Sequence, residues 1–251
     1  MVDPFPAWLA ALEARHLAEL TFPELRRALQ ALSSLYVERR RLLPRGAALE
    51  TAGKRAAFAL YYGPLHFLLT RAIVRGLGAS RAPAPRRLLD LGCGSGVAAA
   101  AWALECQAAP QIEAVDRSGW ARAEAAWTLK RLGLRARVSG VDLARAMAAR
   151  RGAAVVAAFV MNELPEPERN ALLPNLLGVA RERGRVLIVE PLAGRAAPWW
   201  PAWTEAFGHA GGRADEWRVS ADLPEKLTNL GRAAGLDPRE LTGRSLYLAG
   251  D

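Results

Sequence analysis

Residues 86–105 read RRLLDLGCGSGVAAAAWALE. The apolar run from Leu88 to Leu91 is short enough for a buried strand and carries one acid, Asp90. Glycines then alternate at 92, 94 and 96, and the alanine-rich segment from Val97 to Glu105 has the composition of a helix. Strand, glycine turn and helix in that order open an α/β unit. The glycines let the chain turn tightly and let a ligand touch the backbone. Gly94, Gly96 and Ala99 fit the weak G-x-G-x-x-A pattern of dinucleotide sites. A pyrophosphate, however, needs a positive helix end with no carboxylate beside it. Asp90 therefore speaks against a dinucleotide such as NAD and for a ligand with a cationic head.

Downstream, short apolar runs alternate with helical patterns. Strands are expected at Ile112 to Val115, Ala136 to Val141, Ala153 to Val160 and Val186 to Glu190. Helices are expected at Ser118 to Leu132, closed by Gly133, just after Asp142, and at Glu168 to Arg183, closed by Gly184. The alternation predicts an α/β fold with a parallel sheet and helices on both faces. In such a sheet ligands bind at the carboxyl ends of the strands. Asp116 ends the second strand and Asp142 the third, and either acid could also cap the helix that follows it. A last helix is expected at Leu223 to Ala234, with a final strand pair at Asp237 to Leu241 and Ser245 to Leu248 turning at Gly243. Residues 192–221 then read as an insertion after the fifth strand. Its APWWPAW stretch (197–203) places Trp199, Trp200 and Trp203 together, as a lid, an aromatic platform or a core-packing helix.

Upstream of the glycine loop, residues 1–80 read as helical. Phe22-Pro23-Glu24 opens a helix whose Leu25, Leu29, Leu32 and Tyr36 recur at helical spacing. Further helical patterns run from Ala47 to Tyr62 and through PLHFLLTRAIVRGLG (64–78). ASRAPAPRR (79–87) has no periodicity and reads as a linker, so the sheet domain is placed at 81–251.

The composition is that of an ordinary globular protein, with 51% hydrophobic and 24% charged residues. Apolar runs such as Ala153 to Met161 are too short to span a bilayer. An acid at position 3 argues against a secretion signal. The two cysteines, Cys93 and Cys106, match no metal or redox spacing. A cytoplasmic protein with no metal and no membrane partner is expected. The net charge is +9, and residues 1–85 hold 12 basic against 6 acidic side chains. That excess centres on Arg39, Arg40, Arg41, Arg45, Lys54 and Arg55, a polyanion-binding face or a merely solvated one.

Asp90-Leu-Gly92-Cys-Gly94-Ser-Gly96 resembles the first motif of class I S-adenosylmethionine-dependent methyltransferases, D/E-x-G-x-G-x-G. The resemblance covers about 86–251 and implies a Rossmann-like fold with a mostly parallel seven-stranded sheet. It implies S-adenosyl-L-methionine as cofactor, held by Asp90, Gly92, Cys93, Gly94 and Gly96. Asp116 would meet the ribose and Asp142 the adenine, with Arg117 and Leu143 among the cofactor-binding residues. The fourth strand runs into MNELPEPER (161–169), where this family presents the methyl group, so Asn162 and Glu163 are the catalytic candidates. Asn162 could accept a hydrogen bond from the nucleophile, and Glu163 could take its proton. The N/D-P-P-Y/F/W motif of many amine-directed members is present only in its asparagine.

Glu163-Leu164-Pro165 and Val189-Glu190-Pro191, with the Tyr-rich YYGPLHF helix (61–67), also resemble the small-ribosomal-subunit-associated methyltransferase-like family. That family often continues with a glycine-threonine-proline turn and carries cluster-binding cysteines; here Pro191 is followed by Leu192 and Ala193. The likeness implies ribosomal RNA or a ribosomal particle as partner. The expected activity is methyl transfer to RNA. A small-molecule methyltransferase and a non-catalytic cofactor-binding protein are the alternatives.

Overall fold

The computed structural model describes residues 3–18, 20–38, 47–81, 83–148, 153–192, 197–220, 223–236 and 239–250. Arg39, Arg40, Arg41 and Arg45 lie outside the described residues, as do both ends of the 192–221 segment's loops at 193–196 and 221–222. The chain forms two compact units. One comprises Met1–His66 and Ser220–Leu241, and the other Phe67–Val219 and Thr242–Asp251.

The first unit is helical. It holds α1 (Phe5–His16), α2 (Phe22–Glu38), α3 (Ala52–Ala57), a π-helical turn (Phe58–Tyr62), the start of α4 (Gly63–Leu77) and α10 (Glu225–Ala233). Glu24 accepts hydrogen bonds from Thr21 N (2.8 Å) and Thr21 Oγ1 (2.6 Å), which fixes the start of α2. Leu25, Leu29, Leu32 and Leu35 then bury one face of that helix, while Tyr36 is half-buried. The continuous run Ala52–Leu77 is long and apolar enough to cross a membrane by length and composition. Of its most apolar 18-residue window 67% is buried within the protein, as in a core helix.

The second unit is built on a seven-stranded sheet of order β3-β2-β1-β4-β5-β7-β6. The strands are β1 (Arg87–Leu91), β2 (Gln111–Val115), β3 (Ala136–Ser139), β4 (Ala154–Ala158), β5 (Arg185–Glu190), β6 (Arg213–Ser220) and β7 (Glu240–Ala249). β1 to β5 pair in parallel, and β7 runs antiparallel to β5. α5 (Val97–Glu105), α6 (Gly119–Arg131), α7 (Leu143–Ala148), α8 (Glu166–Arg181) and α9 (Trp200–His209) connect them. β1 and β5 are buried along almost their whole length, as central parallel strands covered on both faces must be. The order reverses between β1 and β4, which places the switch point beside the glycine loop.

Three expectations need correction. The stretch 79–87 is not a free linker: Arg185 donates to the carbonyls of Ala79 (2.6 Å), Arg81 (3.1 Å) and Pro83 (3.0 Å) and clamps it down. The division between the units falls instead within α4. From Phe67 onward that helix belongs with the sheet, where Arg71 and Arg75 both grip Glu105 at 2.7 Å. The final strand pair is one strand, β7, and Gly243 is not a turn. A Cβ there would lie 2.9 Å from Leu69 Cδ2, so glycine serves close packing. Residues 192–221 are not an insertion but supply α9 and the edge strand β6. β6 alternates half-buried Asp215, Trp217 and Val219 with exposed residues, so it lacks the apolar run that reveals central strands.

Candidate functional site

Asp90 stands near the end of β1, 1% exposed. Its Oδ2 accepts from Ala99 N in the first turn of α5 (3.3 Å), and its Oδ1 is buried without a partner. Burial, with the Asp116 charge adding to it, pushes its pKa up to about 7. Gly92, Gly94 and Gly96 follow with φ of +66°, +50° and +78°. A Cβ at position 92 would sit 2.2 Å from Val160 Cγ2, so the loop lies directly against the end of β4. Cys93 N donates to Val115 O (3.0 Å), tying the loop to β2. The Cys93 side chain is buried and its thiol is held well above its ordinary pKa by desolvation, which makes it an inert filler.

Asp116, just past β2, joins two elements. Its Oδ2 accepts from Gly94 N (2.9 Å) and its Oδ1 from Ser118 N (2.8 Å). Ser118 Oγ caps α6 through Ala121 N at 3.3 Å. Arg122 braces the turn by donating to the carbonyls of Asp116 and Arg117, each at 2.9 Å. Asp142 is exposed and caps α7, its Oδ1 accepting from Ala144 N (2.9 Å) and Arg145 N (3.3 Å). Leu143, the first residue of α7, is half-buried against the core. The structure thus brings Asp90, the glycine loop and Asp116 into one bonded unit. Asp142 makes its hydrogen bonds only within its own turn among the described residues.

The end of β4 forms the other half. Phe159 adopts φ +60°, a left-handed conformation that costs a bulky residue about 1–3 kcal/mol. It turns the chain so that Met161–Glu163 form a single 3-10 turn. Glu190, at the end of β5 and 0% exposed, holds that turn. Its Oε1 accepts from Met161 N (2.8 Å) and Asn162 N (3.3 Å), and its Oε2 from Asn162 Nδ2 (2.6 Å). Asn162 Oδ1 in turn accepts from Trp199 Nε1 at 2.9 Å. Arg169 lies over the Trp199 ring at 5.5 Å, and Arg244 over Trp200 at 4.1 Å. Asn162 is therefore oriented from both ends, with one oxygen lone pair and one amide hydrogen left over. Burial pushes Glu190 up to about 8 and the half-buried Glu163 up to about 7; Arg117 pulls Glu163 down and Asp116 pushes it up. Glu163 thus feels the charges beside the glycine loop.

The sequence reading missed Glu190, Trp199, Phe159, Arg169 and Arg244 as parts of this site. Glu190 carried the same signal as Asp90: an acid closing the apolar run of a central strand. Trp199, Trp200 and Trp203 are buried, so the core-packing reading of that stretch holds over the lid and the platform. Trp199 still belongs to the site through its indole N–H.

Asp90, Glu163 and Glu190 are all raised, and this fixes a sign. Between the ordinary carboxylate pKa of about 4 and their folded values the unfolded chain holds fewer protons, so stability falls as pH rises. Below that window the groups are protonated in both states and above it ionised in both. Thermal unfolding of the ligand-free protein is therefore expected to show a midpoint that declines from pH 5 to about 8 through these groups. A decline that persists unchanged in a Glu190→Gln, Glu163→Gln variant would remove those two from the account.

A family model described as "Methyltransferase domain" matches residues 65–241. No curated protein matches the chain in sequence. Among solved structures, an O-methyltransferase family protein from Burkholderia thailandensis superposes with a TM-score of 0.55 at 14% identity. That match covers 82% of this chain, and this chain spans 63% of that protein's length. The N-methyltransferase NodS from Bradyrhizobium japonicum WM9, in complex with S-adenosyl-L-homocysteine, gives 0.52 at 12% identity, covering 89% of this chain and 98% of its own. Magnesium protoporphyrin IX methyltransferase from Synechocystis PCC 6803, with bound SAM, gives 0.50 at 14%, covering 93% and 99%. At such identities the likeness is one of fold. Together with the strand order and the left-handed glycine loop, the family match settles the assignment: the chain belongs to the methyltransferase-domain family and has the class I fold of S-adenosylmethionine-dependent methyltransferases.

Proposed function

We propose that the protein transfers a methyl group from S-adenosylmethionine to RNA, with ribosomal RNA the first candidate. The partnerless Oδ1 of Asp90 beneath the glycine loop carries the cofactor reading. A buried carboxylate oxygen without a donor is costly, and a ligand with a cationic ammonium head supplies what it lacks. Each oxygen of Asp116 keeps a second lone pair, which suits a pair of ribose hydroxyls. The second oxygen of Asp142 is left for an adenine amino group. Arg117 and Leu143 follow these acids directly in the chain.

When bound, S-adenosylmethionine supplies a sulfonium-activated methyl group and becomes a neutral thioether once the acceptor's lone pair has taken it. The protein's task is then to orient the acceptor and remove its proton. Glu163, with a pKa near 7, is suited to accept that proton from a nucleotide amine or hydroxyl. Asn162, fixed between Glu190 and Trp199, offers its remaining acceptor site to orient the same group. The net charge of +9, the basic first third and the likeness to the ribosome-associated family support RNA as acceptor. With its tryptophans in the core, the 197–203 stretch gives a small-molecule reading no lid.

Calorimetric titration with S-adenosylmethionine, S-adenosylhomocysteine and NAD tests the cofactor, and label transfer from methyl-tritiated cofactor into RNA tests the acceptor. Micromolar binding of the adenosyl ligands is expected, weakened at least tenfold by Asp116→Ala. Glu163→Gln should keep that binding and lose about 100-fold in turnover. Binding of NAD alone would overturn the cofactor reading. Label entering small molecules and not RNA would overturn the acceptor.

A further inference from the structure

The last turn of α6, the turn after it and the edge strand β3 carry Lys130 and Arg131, Arg135, and Arg137 respectively, all exposed. Residues 125–141 contain these four cations and no acid. None of the four has an ion-pair partner among the described residues. The turn between them is rigid. Gly133, at φ +72°, donates to Lys130 O (3.0 Å), Leu134 N donates to Leu129 O (2.9 Å), and Leu132 and Leu134 are buried. The acids nearby are occupied or hidden. Glu113, the register partner of Arg137 on β2, is held by Arg87 at 2.6 Å, and Glu124 is buried within α6.

Ordinary roles explain only part of this. The helix dipole accounts for basic residues in the last turn of α6, hence Lys130 and Arg131. One charge within an edge strand discourages strand pairing between molecules, which accounts for Arg137. Neither explains Arg135, nor why a 17-residue stretch, 125–141, carries four exposed cations and no acid. Arg135 stands immediately before β3, its carbonyl accepting from Ile112 N (3.0 Å), and Arg137 follows two residues on within the strand, so each can meet a separate phosphate. β3 then leads to Gly140 and Asp142 at the cofactor end of the sheet.

We infer that this edge is a docking track for the phosphate backbone of RNA, running along β3 toward the cofactor end. The inference rests on RNA being the acceptor. It is tested by fluorescence anisotropy with a labelled single-stranded RNA across a salt series. The variants are Arg131→Glu/Arg135→Glu/Arg137→Glu and, in case that triple fails to fold, Arg135→Ala/Arg137→Ala. The triple should weaken binding at least tenfold at low salt and reduce the log–log salt slope by about 2, at about 0.7 per phosphate contact. Titration with S-adenosylhomocysteine should be unchanged in both. Wild-type binding that survives these changes, and is lost in Arg39→Glu/Arg40→Glu/Arg41→Glu, would overturn the edge while leaving the RNA reading in place. No RNA binding by the wild type would overturn both.

Discussion

Alanine at position 92 is expected to destabilise the protein by roughly 2–5 kcal/mol and to abolish cofactor binding. Two costs add. The backbone at Gly92 has φ +66°, where a Cβ is strained by about 1–2 kcal/mol. That Cβ would also lie 2.2 Å from Val160 Cγ2 and 2.9 Å from Val160 Cβ, far inside contact. Val160 cannot retreat freely, because Met161 and Asn162 directly after it are hydrogen-bonded to Glu190. Relief of the clash must therefore move the glycine loop, the reaction end, or both. Gly133→Ala provides the contrast. Its φ is +72° but nothing lies within 4 Å of the added methyl, so only the backbone strain of about 1–2 kcal/mol remains. Denaturant midpoints of the two variants, with S-adenosylhomocysteine titrations, separate the effects. Equal losses in both would mean that the contact with Val160 is not what makes Gly92 necessary.

The same pair of residues shows where sequence reading stops. Gly92, Asp90 and Asp116 were legible because each departs from its local pattern: acids at strand ends, glycines where a helix should begin. The strand-helix rhythm from 87 to 190 was legible for a similar reason, since buried parallel strands are apolar runs with glycine-closed helices between them. Val160 was not legible as the partner of Gly92. Its approach depends on Phe159 adopting a left-handed conformation that no residue preference announces. Trp199 was read as one of a tryptophan group, while its role lies in a hydrogen bond to a residue 37 positions earlier. β6 and the continuous β7 were hidden because an edge strand needs few apolar residues and because Gly243 imitates a turn. Local patterns show which chemistry a segment can offer; the partner that orients it comes from pairing between distant strands.

Glu190 is the point at which that pairing has the largest consequence for the reaction end. Glu190→Ala leaves Met161 N, Asn162 N and Asn162 Nδ2 without their acceptor in a buried setting, at about 1–3 kcal/mol for each donor left unpaired. Glu190→Gln is the more informative change, because it keeps size and alters only polarity. Trp199 Nε1 can only donate, so Asn162 must turn its oxygen toward the indole and its amide toward residue 190. A glutamine that still accepts from Met161 N places its own amide against the Asn162 amide, donor against donor. Flipping Asn162 moves the same conflict to Trp199. The chain is satisfied only when residue 190 accepts at both oxygens. Glu190→Gln should therefore cost about 1–3 kcal/mol despite its similar shape. Trp199→Phe removes the donor at the far end and frees Asn162 to flip, so the double variant should lose less than the sum of the singles. A coupling of about 1 kcal/mol in urea unfolding would show that the network acts as one unit. Strict additivity would mean that Asn162 is not held from both sides, and its orientation toward a methyl acceptor would then have to come from the acceptor itself.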